Sequence, residues 1–296
     1  MIEQILMEMD AGPIKLWDIQ RLGGGLSNQN YLLCHQKSHE KFVLKMPPQS
    51  TDTVIRMQEI EVYQQCARLG LSPELVAWSQ EKAMLSRYVE ADVLTPQMLN
   101  ELPGVFEQCI GLIQTFHRAV KVDFSMSFDK IMYLFPDFDA EYMFGRIADY
   151  HIMIQVVTEI AALIISLESD QKACHNDLIL NNILVDRHQK CWLIDFEWSG
   201  LNNVFYDLSK LCIFSAIDEN KIIKAYFGMV DEDKTAKMYL FKMINHYLVA
   251  QWCSTQLQES QLDVHKELYN IGKRQLNLFL KAYRHPKFKD AWGRLV

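Results

Sequence analysis

The sequence lacks several features that would assign it to other large classes of protein. It has no surplus of positive charge: 30 lysines and arginines face 37 aspartates and glutamates, a formal net charge of −7. A phosphate-backbone binder needs a cationic face, so nucleic acid is not an expected partner. There is no C-x-x-C pair and no metal-ligand clustering. The seven cysteines (Cys34, Cys66, Cys109, Cys174, Cys191, Cys212, Cys253) are scattered and odd in number. That spacing fits reduced thiols, acting as small buried hydrophobes in a cytoplasmic setting, better than a disulfide framework or a zinc site. The longest apolar run, near residues 160–167, falls far short of the roughly 18 residues of a membrane span. The first ten residues carry Glu3, Glu8 and Asp10 and no basic start before an apolar core, so no signal peptide is expected. Low-complexity tracts, internal repeats and linkers are absent as well.

What remains is a chain of 296 residues, 49% apolar and 23% charged, the balance of an ordinary globular protein with a real core. β-like runs at 16–22, 30–34 and 42–44 surround a break at Gly23, Gly24 and Gly25, which reads as a hairpin with a tight turn. Residues 53–69 turn helical, with Ile55, Ile60, Val62, Tyr63, Cys66 and Leu69 in register and Gly70 as the stop. Two more strands follow at 75–78 and 83–89. Beyond Ala91 the pattern is helical (96–120, 141–168 and 206–283), apart from one β-rich interruption between Ala173 and Glu197. This order predicts an α+β, bilobal, protein-kinase-like fold. Residues 1–89 would form a small lobe of antiparallel sheet plus helix that binds nucleotide. Residues 90–296 would form a large, mainly helical lobe for catalysis and substrate binding.

The chemistry is concentrated in that interruption. It contains Cys174-His175-Asn176-Asp177-Leu178-Ile179-Leu180-Asn181-Asn182-Ile183-Leu184-Val185 and then Trp192-Leu193-Ile194-Asp195-Phe196-Glu197-Trp198. The apolar runs at 183–185 and 192–194 make two strands turning through 186–190, which would hold Asp177, Asn182 and Asp195 at one end of a hairpin. Phosphoryl transfer needs such a set: an aspartate to orient or deprotonate a hydroxyl, and an asparagine and a second aspartate to offer oxygens to magnesium. Singly, Asn182 could be a turn-capping amide and Asp195 a solvated strand end. Jointly, at the spacing His-x-Asp-x-x-x-x-Asn with an aspartate in the next strand, those readings are poor.

These two segments resemble the catalytic signature of the choline/ethanolamine kinases, within the wider aminoglycoside phosphotransferase superfamily. Asp195-Phe196-Glu197-Trp198-Ser199-Gly200 is closest to the choline-kinase version. The likeness covers nearly the whole chain: Gly23-Gly24-Gly25-Leu26-Ser27-Asn28-Gln29-Asn30-Tyr31 resembles the family's nucleotide loop, Val43-Leu44-Lys45 its third strand, and Gly70-Leu71-Ser72-Pro73-Glu74-Leu75 the turn after its first helix. The resemblance implies ATP and magnesium (Mg2+) as cofactors, Asp177 as catalytic base, and Asn182 and Asp195 as metal ligands. His175 would pack beneath the loop, and Asp207 would brace it or cap a helix. Gly24, Gly25, Ser27 and Asn28 would cover the phosphates. Lys45 would neutralise them, paired with Glu59, or with Glu61 as second choice. Adenine would lie along the connector that begins Ser86-Arg87-Tyr88-Val89; Ala91 stands where the family often has glycine.

The implied acceptor is a small cationic alcohol. Aromatic faces hold quaternary ammonium groups through the ring quadrupole, and Trp198, Tyr206, Tyr247 and Trp252 are candidates, with Gln256 beside them and Glu197 near the metal or the cation. Val249 replaces the first of two tryptophans usual in the family's late helix, and Phe214 replaces a glutamate commonly found seven residues after Asp207. Choline or ethanolamine is the leading acceptor, thiamine the alternative. An aminoglycoside is less favoured, because acidic residues over 206–256 cluster in one turn. A nucleotide-binding pseudokinase scaffold is disfavoured because Lys45, Asp177, Asn182 and Asp195 are all present. A monomer and a homodimer are equally compatible with the sequence.

Overall fold

The computed structural model describes residues 1–296 apart from 24–27, 49–52, 81, 127–143, 145–149, 167–170 and 260–261. Along the chain, α1 (Ile2–Glu8) precedes β1 (Trp17–Leu22), β2 (Gln29–His35) and β3 (Lys41–Met46). Then come α2 (Thr53–Arg68), β4 (Leu75–Trp78), β5 (Met84–Arg87) and β6 (Ala91–Val93). Helices α3 (Pro96–Glu101), α4 (Val105–Ala119) and α5 (Tyr150–Ser166) lead to β7 (Gln171–Cys174), β8 (Ile183–Asp186), β9 (Cys191–Leu193) and β10 (Gly200–Asn203). The remaining helices are α6 (Val204–Ser215), α7 (Glu219–Phe227), α8 (Glu232–Glu259), α9 (Leu262–Arg284) and α10 (Pro286–Leu295). This is the predicted α+β, kinase-like plan, an antiparallel sheet followed by mostly helical chain. Of the helix expected over 141–168, α5 covers the latter part; positions 141–143, 145–149 and 167–168 lie outside the described residues. No helix among the described residues is long and apolar enough to cross a membrane.

Contacts divide the chain into two compact units, Met1–Val122 with Leu180–Ser199, and Asp123–Ile179 with Gly200–Val296. In the first, five antiparallel strands run in the order β1-β2-β3-β5-β4. Alternation along β3 sends Phe42, Leu44 and Met46 to one face, where they pack with Leu33, Leu85, the Ile5 and Leu6 side chains of α1 and Met9 just after it. A helix of seven residues is marginal alone. Burying those apolar groups, at about 2 kcal/mol each, is what keeps α1 folded. Lys45, one residue out of phase, is directed to the opposite face of the sheet. There α2 presents the stripe Arg56, Glu59, Ile60, Tyr63 and Cys66, and Gly70, at φ +68°, ends the turn that follows.

The same unit holds a smaller sheet, β6-β8-β9, in which β8 and β9 form the predicted hairpin through the turn after Asp186. β6 departs from the helical expectation after Ala91. It is only three residues long and carries an exposed aspartate, so no alternation marks it. Beyond β9, Phe196 is buried, its ring stacked on Phe116 of α4 at 6.0 Å and edge-on to Tyr63 of α2 at 5.4 Å. This plug fixes the turn on which Asp195 and Glu197 stand.

In the second unit β7 pairs with β10. Gly200 faces Cys174 there, and a Cβ at Gly200 would come within 2.7 Å of the Met126 side chain, so the position admits no larger residue without a shift. The long α8 is the central helix, packed against α5, α6, α9 and α10. α6 is buried along residues 204–212 although it contains Asp207 and Lys210.

Candidate active site

In the first unit a charged network gathers around Lys45. Its ammonium lies 2.5 Å from Glu59 Oε1 and also pairs with Asp195 Oδ1. Glu61 is exposed on the same helix. Glu59 in turn pairs with Arg56, three residues earlier on α2. Arg56 donates to Asn28 Oδ1 at 2.6 Å and lies 3.4 Å from Glu197 Oε2, and Asn28 Nδ2 donates to that same carboxylate at 3.1 Å. Two cations therefore meet three carboxylates, a net negative set held within one unit. Burial, the largest influence on Lys45, would lower its pKa; Asp195, then Glu59 and Glu197, overcome it and hold the ammonium above its usual range. Burial first, and Asp195 second, push the Glu197 carboxyl upward.

Backbone geometry brings Asn182 and Asp195 together. The Ile194 amide donates to the Asn182 carbonyl at 3.0 Å, directly before Asp195. Asp195 itself sits at φ +68°, a left-handed conformation costly for a residue with a Cβ and kept only where neighbours over-determine it. Glu197 is not on a strand, because β9 ends at Leu193. It stands in the turn closed by the Ser199 amide on the Phe196 carbonyl, 3.0 Å, and reaches the glycine-loop end through Asn28. Gly24, Gly25 and Ser27 lie outside the described residues. Ser86 is in β5 opposite Val43, and the Tyr88 amide donates to the Lys41 carbonyl at 3.0 Å.

The second unit holds Asp177. The loop 175–177 leaves β7, with Asn176 at φ +62°. Asp207 accepts from the His175 and Asn176 amides at 2.7 and 2.8 Å, and His175 Nδ1 receives the Asp177 amide at 3.3 Å. Asp207 thus braces the loop backbone from inside α6 rather than capping the helix; the cap is Asn203, which accepts from the Phe205 amide. Lys210 donates to Asp177 Oδ1 at 3.0 Å and to the Asn176 carbonyl at 2.9 Å. Burial pulls the Lys210 pKa down, but Tyr206 and Asp177 more than offset it, and the ammonium titrates above its ordinary value.

The aromatic candidates are divided. Trp198 belongs to the first unit; Tyr206, Tyr247, Trp252 and Gln256 belong to the second. Tyr206 and Tyr247 are buried, whereas Trp252, Gln256, Val249 and Phe214 are half-buried. The Tyr206 carbonyl accepts from Asn245 of α8 at 3.0 Å, which ties α6 to α8.

Sequence reasoning missed Arg56 and Lys210. Both carried a legible signal, a charged pair three residues apart on a helix face that is otherwise apolar: Arg56 with Glu59 on α2, and Asp207 with Lys210 on α6.

Comparison with known proteins gives this geometry a context. The model of the phosphotransferase enzyme family matches residues 18–240. A probable ethanolamine kinase of Arabidopsis thaliana is 24% identical over 210 residues, 65% of this chain and 55% of that protein. An uncharacterized protein of Mycoplasma pneumoniae is 27% identical over 121 residues, 40% of this chain and 39% of the relative. The chain therefore matches little more than half, or less, of the length of these curated relatives. Among solved structures, a choline/ethanolamine kinase family protein from Mesorhizobium loti superposes with a TM-score of 0.74 at 19% identity, covering 94% of this chain and 92% of the other. At that identity the likeness establishes the fold.

Proposed function

This chain belongs to the phosphotransferase enzyme family, and on that premise we propose that it transfers the γ-phosphoryl group of ATP, with magnesium, to the hydroxyl of an amino alcohol, choline or ethanolamine. The observation that carries the reading is the part-buried set in which Lys45 is paired at once with a fully buried Glu59 and with Asp195. Keeping a lysine between two carboxylates is expensive in desolvation and is repaid only where the geometry matters.

Asn182 and Asp195, with Glu197 beside them, offer oxygen donors only, the donor type that a hard divalent cation such as magnesium takes. When bound, such an ion would offset the negative charge of the nucleotide phosphates. Within the chain, Lys45 supplies a fixed positive charge to the phosphates, and Glu59 keeps it from collapsing onto Asp195 alone. Loop residues 23–28 cover the phosphates, anchored at Asn28 by Arg56. The connector from Ser86 to Tyr88 borders the adenine. In this division of labour residues 1–89 handle nucleotide and 90–296 handle catalysis and acceptor. Asp177 takes the acceptor's hydroxyl proton as the oxygen attacks, and its carboxylate, oriented within the second unit, is the base.

For the acceptor, Tyr206, Trp252 and Gln256 of the second unit are the proposed contacts. Val249 and Phe214 remove one ring and one carboxylate from the usual cation site, a change compatible with ethanolamine, whose ammonium can donate hydrogen bonds where choline cannot. The relative named as a probable ethanolamine kinase supports the same direction.

The test is ADP release with magnesium and ATP against choline, ethanolamine, thiamine and one aminoglycoside. Saturable turnover with either amino alcohol is the expected result. Turnover with thiamine alone would move the acceptor and keep the catalytic residues; nucleotide binding without any turnover would overturn the amino-alcohol reading.

A further inference from the structure

We propose that Lys210 is a positioning residue of the transfer reaction, holding from α6 both the carboxylate of Asp177 and the backbone that carries it. The inference deepens the reading above and rests on Asp177 being the base.

α6 grips the loop with two opposite charges, three residues apart, each matched to the polarity of the group it meets. Asp207 takes the amides of His175 and Asn176. Lys210, one turn further along, takes the Asn176 carbonyl at 2.9 Å and Asp177 Oδ1 at 3.0 Å. Between them Asn176 is left-handed, a conformation unfavourable to an L-residue that persists only where it is held. Its side chain is also fixed, accepting from Asn202 Nδ2 at 2.9 Å.

A structural role alone does not account for the choice of lysine. The loop backbone is already restrained through Asp207 and Asn202. Lys210 lies in the buried stretch of α6, where a methionine would fill the place without the desolvation that an ammonium costs. Lys210 is 8% exposed and makes that sacrifice in order to reach a carboxylate. The Tyr206 ring, 5.4 Å from the ammonium, lines the other side and favours the cation. What lysine adds over any neutral donor is a charge that pairs with Asp177 Oδ1 and so fixes the direction of that carboxylate.

The test is a double-mutant cycle on the full chain, using Lys210→Met, Asp177→Asn and the pair. Turnover is measured with the alcohol that the substrate panel returns, or as basal ATP hydrolysis if none does. ATP affinity and melting temperature are followed in parallel. Expected is a fall in kcat of about 100-fold for Lys210→Met, with ATP affinity changed by less than about 3-fold and a double variant no slower than Asp177→Asn alone. Lys210→Gln, which can still donate to the Asn176 carbonyl, should fall between Lys210→Met and the natural protein. It carries the cycle if the methionine variant does not fold. Wild-type turnover in Lys210→Met, or losses that multiply in the double variant, would overturn the proposal. Full activity in Asp177→Asn would instead remove the base assignment itself, and this inference with it.

Discussion

The two units each hold a carboxylate, Asp195 in the first and Asp177 in the second, by opposite means. Around Asp195 the first unit assembles side chains from four distant stretches of chain: Asn28, Lys45, the Arg56–Glu59 turn of α2 and the turn after β9. Almost every contact there is between ions. Around Asp177 the second unit uses two short segments, 175–177 and 207–210, and most of the bonds end on backbone groups. A network of ions is adjustable and sensitive to the charge that enters it. A backbone clamp is rigid and nearly indifferent to it. Under the function proposed above, that difference suits a nucleotide-and-metal side that must accommodate several added charges and a base that must hold one direction.

The largest expected effects test this contrast directly. Asp195→Ala and Asp177→Ala should each lower kcat by about 10³-fold or more. They should differ in binding: calorimetry is expected to show ATP affinity weakened, and its magnesium dependence lost, only for Asp195→Ala. Equal ATP affinity in the two variants would erase the distinction between the units.

Next in size is Lys45→Met. It leaves Glu59, Asp195 and Glu197 around a single remaining cation, Arg56, and removes the charge offered to the phosphates. A loss of about 10²-fold in kcat, together with a raised KM for ATP, is expected from steady-state kinetics. A fall in kcat at unchanged KM would place Lys45 with the base rather than with the nucleotide.

Arg56→Met should act on stability before it acts on rate. Removing this buried cation takes one ion pair from each of Glu59 and Glu197 and the Arg56 donor from Asn28 Oδ1, and breaking such a buried pair costs about 3 kcal/mol. Chemical denaturation should show that loss, and the KM for ATP should rise because Asn28 is no longer anchored. An Arg56→Met protein as stable as the natural one would mean that the ionic network contributes nothing to holding the first unit together.

Much of this was legible in advance, for physical reasons that differ by element. β3 and its lysine could be read because alternation and a proline stop are local signals, and α2 because its buried stripe keeps helical period up to Gly70. The β8–β9 hairpin and its acidic ends could be read because two apolar runs bracket them. β6 could not: three residues with an aspartate in the middle carry no periodicity, and the strand exists only because β8 offers an open edge. The setting of Glu197 could not be read either, because the left-handed Asp195 follows the end of the extended backbone and Glu197 turns toward Asn28. Arg56 and Lys210 were overlooked because a charge on a helix reads as solvent-facing until a partner three residues away, and an apolar surround, argue otherwise.

The smallest predicted effect concerns a neutral pair in the second unit. His246 on α8 is buried, with Nδ1 2.6 Å from Gln275 Oε1 of α9. Burial, with Lys242 and Arg274 adding to it and Gln275 opposing, pushes its pKa down to about 4 from an ordinary value of 6.5. The folded state therefore keeps the imidazole neutral while the unfolded chain takes up a proton. For a group depressed on folding, the stability it contributes is full above pH 6.5 and is lost as the pH falls toward 4. The loss amounts to about 3 kcal/mol at most. Urea unfolding of the natural protein should show this slope on acidification, and His246→Gln should flatten it between those limits. An unchanged slope in the variant would mean that carboxylates such as those of the first unit set the acid limit, and that the neutral pair between α8 and α9 has no part in it.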